Sequence, residues 1–254
     1  MSNIANVTID LTGRVALITG GTRGIGRAIA DRFLDAGAAV ILTGTNTEEI
    51  DRLNATNGNP ERISYLQIDF TNPASVTAFI DKVQQQPRID VLVNNAGINK
   101  IALNTETTTA DFDLLTDVNV KGPYITCREV SKLMKNQGYG RIVNITSIWS
   151  EITRPGRSIY TANKFAVAGL TKTLAIELAP HNIMVNSVAP GFTLTELTAN
   201  TNTEEELTKI TDLIPIKRMA QPVEIANLVL FLSSELNSYL TGQNIVIDGG
   251  YTNV

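Results

Sequence analysis

Tyr160 and Lys164 stand four residues apart, and Ser147 lies thirteen residues upstream of Tyr160. On a helix that spacing puts the phenol and the ammonium on one face, about a turn apart. A phenol ordinarily titrates near about 10, and a neighbouring cation favours its phenolate. A tyrosine tuned towards neutrality by Lys164 could pass a proton to or from a carbonyl or hydroxyl oxygen. Near the start of the chain, Thr19 to Gly26 reads TGGTRGIG. Gly20, Gly24 and Gly26 would let the backbone approach a pyrophosphate at a helix N-terminus. Together these residues point to hydride exchange between a dinucleotide and an alcohol or ketone.

Positioning them requires strands that end where helices begin. Short apolar runs at 14–19, 39–43, 63–68, 89–93, 140–145, 183–188 and 244–247 read as strands. Helical periodicity fills roughly 24–36, 73–85, 110–136, 158–179 and 222–234. Strands that are apolar throughout fit a sheet covered on both faces. The alternation predicts an α/β fold: a Rossmann-type, doubly wound, seven-stranded parallel sheet. Residues 1–10 read as an N-terminal arm, and 11–254 as one dinucleotide-binding catalytic domain. The polar stretch at about 193–215 reads as a substrate lid, with a short helix over 204–210.

Composition narrows the classes. The chain has 254 residues and a formal net charge of -4, so it has no general attraction to nucleic acid or anionic membrane. No run approaches the length of a membrane span, and the N-terminus lacks the pattern of a secretory signal. One cysteine fits a reducing, cytoplasmic setting, and Cys127 reads as a small buried residue. With a single His as well, no metal cluster is expected.

The second strand ends at Gly44, Thr45 and Asn46, without the acidic residue that would bind ribose hydroxyls and repel a 2′-phosphate. Arg23 could face that ribose or point to solvent. The missing acid and the available guanidinium favour NADP(H) over NAD(H).

In combination these residues resemble the classical short-chain dehydrogenase/reductase family, over essentially the whole chain from Leu11 onward. The turn from Thr19 to Gly26 looks like its cofactor motif, and Asn94 to Gly97 like the element bordering the cofactor. Asn119, Ser147, Tyr160 and Lys164 match the catalytic tetrad. Pro190 and Gly191 match the turn beside the nicotinamide, and the segment from Tyr239 to Gly250 resembles the closing strand.

The resemblance implies that Tyr160 is the general acid in reduction and the base in oxidation. Lys164 would lower its pKa and bind the nicotinamide ribose, Ser147 would hold the substrate oxygen, and Asn119 would fix a water linking Lys164 to solvent. Asp69 would sit by the adenine, and Thr195 would reach the carboxamide or pyrophosphate. The implied cofactor set adds Thr22, Ile25, Thr45, Phe70, Asn95, Ala96, Gly97 and Thr193.

Substrate contacts are expected from Ser147, Trp149, Arg154, Arg157 and Tyr160. Trp149 could be a flat wall or pack on the lid. Arg154 and Arg157 could clamp a carboxylate or phosphate, or be solvated, and Glu151 could neutralise one of them. The family members that look most similar are 3-oxoacyl-carrier-protein reductases and small-ketone reductases. Lys132, Lys135 and Arg141 make no decisive basic patch for an acidic carrier. The partner is therefore expected to be a small ketone or alcohol, carboxylate-bearing or an acyl thioester. The family resemblance further implies a homotetramer, paired through the helices near 110–136 and 158–179 and through the C-terminal region.

Two other classes compete. A non-catalytic dinucleotide-binding regulator on the same fold would have no use for the intact Ser147, Tyr160 and Lys164 set. A serine hydrolase using Ser147 and His181 lacks the G-x-S-x-G elbow.

Overall fold

The computed structural model describes residues 8–196, 198 and 203–254. Seven strands form one parallel sheet: β1 (Val15–Thr19), β2 (Ala39–Gly44), β3 (Ile63–Gln67), β4 (Val91–Asn94), β5 (Gly140–Ile145), β6 (Ile183–Pro190) and β7 (Asn244–Ile247). Their order is β3-β2-β1-β4-β5-β6-β7. The chain winds outward from β1 to one edge, then returns to β4 and builds towards the other. The order therefore reverses between β1 and β4, where such sheets open a crevice at their carboxyl ends.

The helices are α1 (Gly24–Asp35), α2 (Thr47–Ala55), α3 (Pro73–Gln84), α4 (Thr109–Thr116), α5 (Gly122–Gln137), α6 (Ser158–Leu178), α7 (Glu204–Leu213) and α8 (Pro222–Ser233). Side chains alternate strictly through the sheet, so it feeds two cores. Ala16, Ile18, Val40, Leu42, Val91 and Val93 face Ile29 and Phe33 of α1 and Ile225 and Val229 of α8. Leu17, Ile41, Leu92 and Ile142 face Phe79 of α3, Val130 and Met134 of α5, and Leu178 of α6. Burial on both faces explains why these strands read as unbroken apolar runs.

Local signals fix the helix ends. Asn72 caps α3 by accepting from the backbone N–H groups of Ala74 and Ser75, and Pro73 starts the helix. Gly138 ends α5 in the left-handed region at φ 66°.

Three expectations change. The expected helix over 110–136 is two helices, joined by a π-helical turn from Asp117 to Lys121 that carries Asn119. Between β2 and β3, where the sequence periodicity pointed to no helix, stands α2, capped by the Asn46 side chain accepting from the Glu49 N–H at 2.8 Å. The helix expected at 204–210 runs to Leu213, and Ile214 beyond it is buried. Residues 1–7 of the expected arm, and 197 and 199–202 of the expected lid, lie outside the described residues.

Candidate active site

The site gathers at the carboxyl ends of β1, β4, β5 and β6. Ser147 follows β5, and Tyr160 lies in the first turn of α6 with Lys164 one turn on. Lys164 is buried, and its Nζ donates to the Ile145 carbonyl at 2.8 Å. The ammonium lies 5.4 Å from the centre of the Tyr160 ring. Burial disfavours its charged form and lowers its pKa to about 8.

Burial pushes the Tyr160 phenol the other way, above its ordinary value. Two neighbours oppose that shift: a hydrogen bond with the Ser147 side chain and the positive charge of Arg157. The sequence reading assigned this influence to Lys164. In the structure Ser147 and Arg157 act in that direction, while the Lys164 ammonium donates to the carbonyl at the end of β5.

Asn119 is buried in the π turn. Its Oδ1 accepts from the Ile98 N–H and its Nδ2 donates to the Ile98 carbonyl, both at 2.9 Å. The side chain thus pins the loop after β4. Gly97 lies between Asn119 and Lys164: a Cβ there would stand 3.2 Å from Asn119 Oδ1 and 3.7 Å from Lys164 Nζ.

The phosphate turn has the geometry of a dinucleotide cradle. Gly20 and Gly24 hold positive φ, at 63° and 57°. Gly26 packs so closely that a Cβ would fall 2.2 Å from the Gly20 carbonyl oxygen. No side chain caps the N-terminus of α1, and its first turn carries no acid, so its N–H groups remain available to an anion. Asn95 Nδ2 donates to the carbonyls of Thr19 and Gly20, and the N–H groups of Asn95 and Ala96 donate to Thr19 Oγ1. Asn95 and Ala96 thereby lock the end of β4 to the turn, and Ile25 packs against the core.

The remaining cofactor candidates separate into those at the cleft and those with structural duties. Arg23 is exposed, and Thr22 approaches Gly44, where a Cβ would lie 3.4 Å from its methyl. The Thr45 carbonyl accepts from Gln67 Nε2 at 3.1 Å. Asp69 closes its own turn by accepting from the N–H and hydroxyl of Thr71, and Phe70 is buried against Gly122. After β6, Pro190 leads to Gly191, whose N–H donates to the Ile247 carbonyl at 2.9 Å. Thr193 Oγ1 donates to the Gly191 carbonyl, and Thr195 overhangs the phosphate turn, with its methyl 3.7 Å from where a Gly24 Cβ would be.

The substrate side is aromatic and cationic. Buried Trp149 meets Phe192 edge-on at 6.4 Å, and Phe192 meets Tyr251 at 5.2 Å. Arg154 is exposed, 5.2 Å from the Trp149 ring centre, whereas Arg157 is buried, 5.4 Å from it. Glu151 neutralises neither, because it accepts from Asn244 Nδ2 at 2.6 Å.

Sequence reading missed three features. Phe192 and Tyr251 complete the aromatic wall from distant segments. Asn163 is buried on α6, within 3.4 Å of Thr116 Oγ1. A buried chain of hydrogen bonds also supports the site from below. Thr126 donates to Asn94 Oδ1, Asn94 Nδ2 donates to Asn144 Oδ1, and Asn144 Nδ2 donates to Thr171. Polar residues inside the apolar strands at 91–94 and 140–145 were the visible signal. Cys127 sits against this chain, its thiol pushed up to about 12 by burial, which suits an inert packing residue. His181 precedes β6 and Ser147 follows β5, so the two lie at opposite ends of the sheet, and a Ser–His hydrolase is excluded. No group of metal-ligating side chains occurs among the described residues.

Comparison with known proteins agrees with this geometry. Residues 20–252 match the family model described as "Enoyl-(Acyl carrier protein) reductase". A 3-oxoacyl-[acyl-carrier-protein] reductase of Rickettsia bellii is 41% identical over 242 residues, covering 95% of this chain and 98% of that protein. A 3alpha-hydroxysteroid dehydrogenase of Mediterraneibacter gnavus is 40% identical over 243 residues, covering 94% and 97%. The structure of a gluconate 5-dehydrogenase from Burkholderia cenocepacia, in complex with NADP and tartrate, superposes with a TM-score of 0.89 at 34% identity, covering 96% of this chain and 97% of that one. The chain belongs to the classical short-chain dehydrogenase/reductase family, and is an oxidoreductase acting on alcohol and carbonyl groups.

Proposed function

We propose that the protein is an NADP(H)-dependent carbonyl reductase or alcohol dehydrogenase in which Tyr160 is the acid and base. The carrying observation is one cluster: the phenol of Tyr160, with the Ser147 hydroxyl and two cations beside it, at the mouth of a glycine-lined crevice. A non-catalytic dinucleotide sensor gives no reason to assemble that cluster.

The residues fit a dinucleotide. The uncapped N-terminus of α1 suits a pyrophosphate, and Thr195 overhangs the same turn. When bound, the cofactor supplies or accepts a hydride. Ser147 orients the substrate oxygen by hydrogen bonding, and Tyr160 donates its proton to that oxygen in reduction or withdraws one in oxidation. Lys164, buried one turn along α6 from Tyr160, holds the nicotinamide ribose in this reading. Asn119 fixes the loop that borders Lys164 and, with a water, carries protons from solvent.

Preference for NADP(H) rests on the end of β2. Gly44 and Thr45 present no carboxylate there, Asn46 is committed to its cap, and Arg23 is exposed in the phosphate turn with no ion pair among the described residues. Arg23 is therefore the partner proposed for a 2′-phosphate. The substrate is a small ketone or secondary alcohol. The basic residues near β5, indecisive in the sequence as a carrier patch, gain no support as one, because Arg141 is buried and Lys132 is bonded to Glu129.

Exposed Phe112 and Leu114 on α4, Tyr124 on α5, and Phe165 and Ile176 on α6 suit burial between copies, supporting a homotetramer paired through these helices. No described helix is long and apolar enough to cross a membrane, and a cytoplasmic setting is proposed from the single buried, unpaired cysteine.

The test is a panel of ketones and alcohols assayed at 340 nm with all four nicotinamide dinucleotides. Turnover favouring the phosphorylated forms supports the reading. Absence of turnover alongside tight NADPH binding would instead favour a sensor.

A further inference from the structure

Arg157 is only 7% exposed, yet its Nε has no hydrogen-bond partner. No side-chain hydrogen bond or ion pair joins its guanidinium to any described residue. A buried N–H left without an acceptor is costly, and such groups persist where something else completes them. Lys164 donates to the Ile145 carbonyl, and Arg141, although its Nε also lacks a partner, donates through Nη1 to the carbonyls of Gly140 and Asn182, whereas Arg157 makes no such bond. The acid closest in sequence, Glu151, is held by Asn244.

The surroundings add charge instead of cancelling it. Desolvation lowers the Arg157 pKa first, and the positive charge of Arg154 lowers it further. Arg154 stands 5.2 Å from the Trp149 ring centre and Arg157 5.4 Å from it, so the two cations share one indole. Arg157 also acts electrostatically on Tyr160, and it stands at the start of the helix whose first turn carries that phenol. The chain is tight around it. A Cβ on neighbouring Gly156 would come within 3.2 Å of Ile101, and the Gly156 carbonyl accepts from the Ala102 N–H.

Building on the dehydrogenase reading, we infer that Arg157 is the anchor for a carboxylate on the substrate, with Arg154 as the outer cation and Trp149 as the wall between them. The substrate class is then a short hydroxy- or keto-acid, oriented by its carboxylate so that its alcohol or ketone meets Ser147 and Tyr160. A planar guanidinium suits a carboxylate because it can donate two parallel hydrogen bonds. A 3-oxoacyl thioester offers no negative charge near its reacting carbonyl and would leave Arg157 unpaired.

Trp149 is the only tryptophan in the chain, so its fluorescence reports this pocket without any turnover. The experiment titrates the full-length protein, saturated with NADP+, with tartrate, with gluconate and with the corresponding neutral amides. A saturable change is expected with at least one acid, and a response at least about tenfold weaker with its amide. Arg157→Met should weaken acid binding by about 10- to 100-fold, and Arg157→Lys should restore part of it. A thermal melt matching wild type shows that the Met variant is folded, and partial rescue by Lys separates loss of charge from loss of packing.

Equal responses to acids and amides, no response to either acid, or wild-type acid binding by Arg157→Met would overturn the assignment. The dehydrogenase reading fails separately: fluorescence would show carboxylate binding while no alcohol or ketone is turned over.

Discussion

The two ionisable groups proposed to be catalytic are pushed by burial in opposite directions, Tyr160 upward and Lys164 downward. Each has its charge-free form favoured by the protein alone, so a proton donor at rest is the natural state of Tyr160. Lys164 falls from 10.5 to about 8, which has a consequence for stability. Below about 8 both folded and unfolded chains carry the charge, and its burial counts fully against the fold. Between about 8 and 10.5 the folded chain alone releases the proton, so Lys164 contributes a gain in stability with rising pH. Lys164→Met should remove that gain, about 3 kcal/mol across the window. Denaturant titrations of both proteins at pH 8 and pH 10 check it, and parallel pH dependences would refute it. Arg23→Ala should reduce the ratio of NADPH to NADH affinity by about tenfold, as expected for one charge-assisted contact; dye-free fluorescence titrations measure both constants. Tyr160 and Lys164 stood out in the sequence by their spacing, and Ser147 by the family resemblance. Whether Arg157 meets solvent or a ligand was not legible, since burial and the commitment of Glu151 to Asn244 are tertiary facts.

The elements show the same division. Strands β1 to β7 were readable from their apolar runs, because burial on both faces leaves little room for polar residues. α2 was not, since Ile50 is its only buried residue and its start depends on the Asn46 cap. The π turn was also invisible, because one extra residue per turn barely disturbs an apolar period. That turn matters nonetheless: it places Asn119 against Ile98 and next to Gly97. Two predictions belong to this scale, one from close approach and one from the buried hydrogen-bond chain. Gly26→Ala would put a methyl 2.2 Å from the Gly20 carbonyl oxygen and 2.5 Å from Asn95 Nδ2, so the phosphate turn must shift. Dinucleotide affinity should fall by tenfold or more, at a stability cost of about 1–3 kcal/mol, read by calorimetry. Asn144→Ala would leave Asn94 and Thr171 without their shared partner, costing about 2–3 kcal/mol in chemical denaturation.

Across the whole molecule, the parallel sheet delivers every candidate group to one end, where the reversal between β1 and β4 opens the crevice. On the proposed mechanism the fold supplies the position, and Tyr160 would supply the proton. Assembly is a whole-molecule property too, and light scattering should return four times the chain mass. Replacing both Phe165 and Ile176 with Glu should shift it towards smaller species, because both are exposed apolar residues on α6. The central claim is tested most directly by Tyr160→Phe. Steady-state oxidation of NADPH by the best ketone substrate is compared with wild type, beside an NADPH binding titration. The account predicts a loss of at least about a thousandfold in kcat with the dissociation constant for NADPH nearly unchanged. A variant that retains wild-type turnover would contradict it.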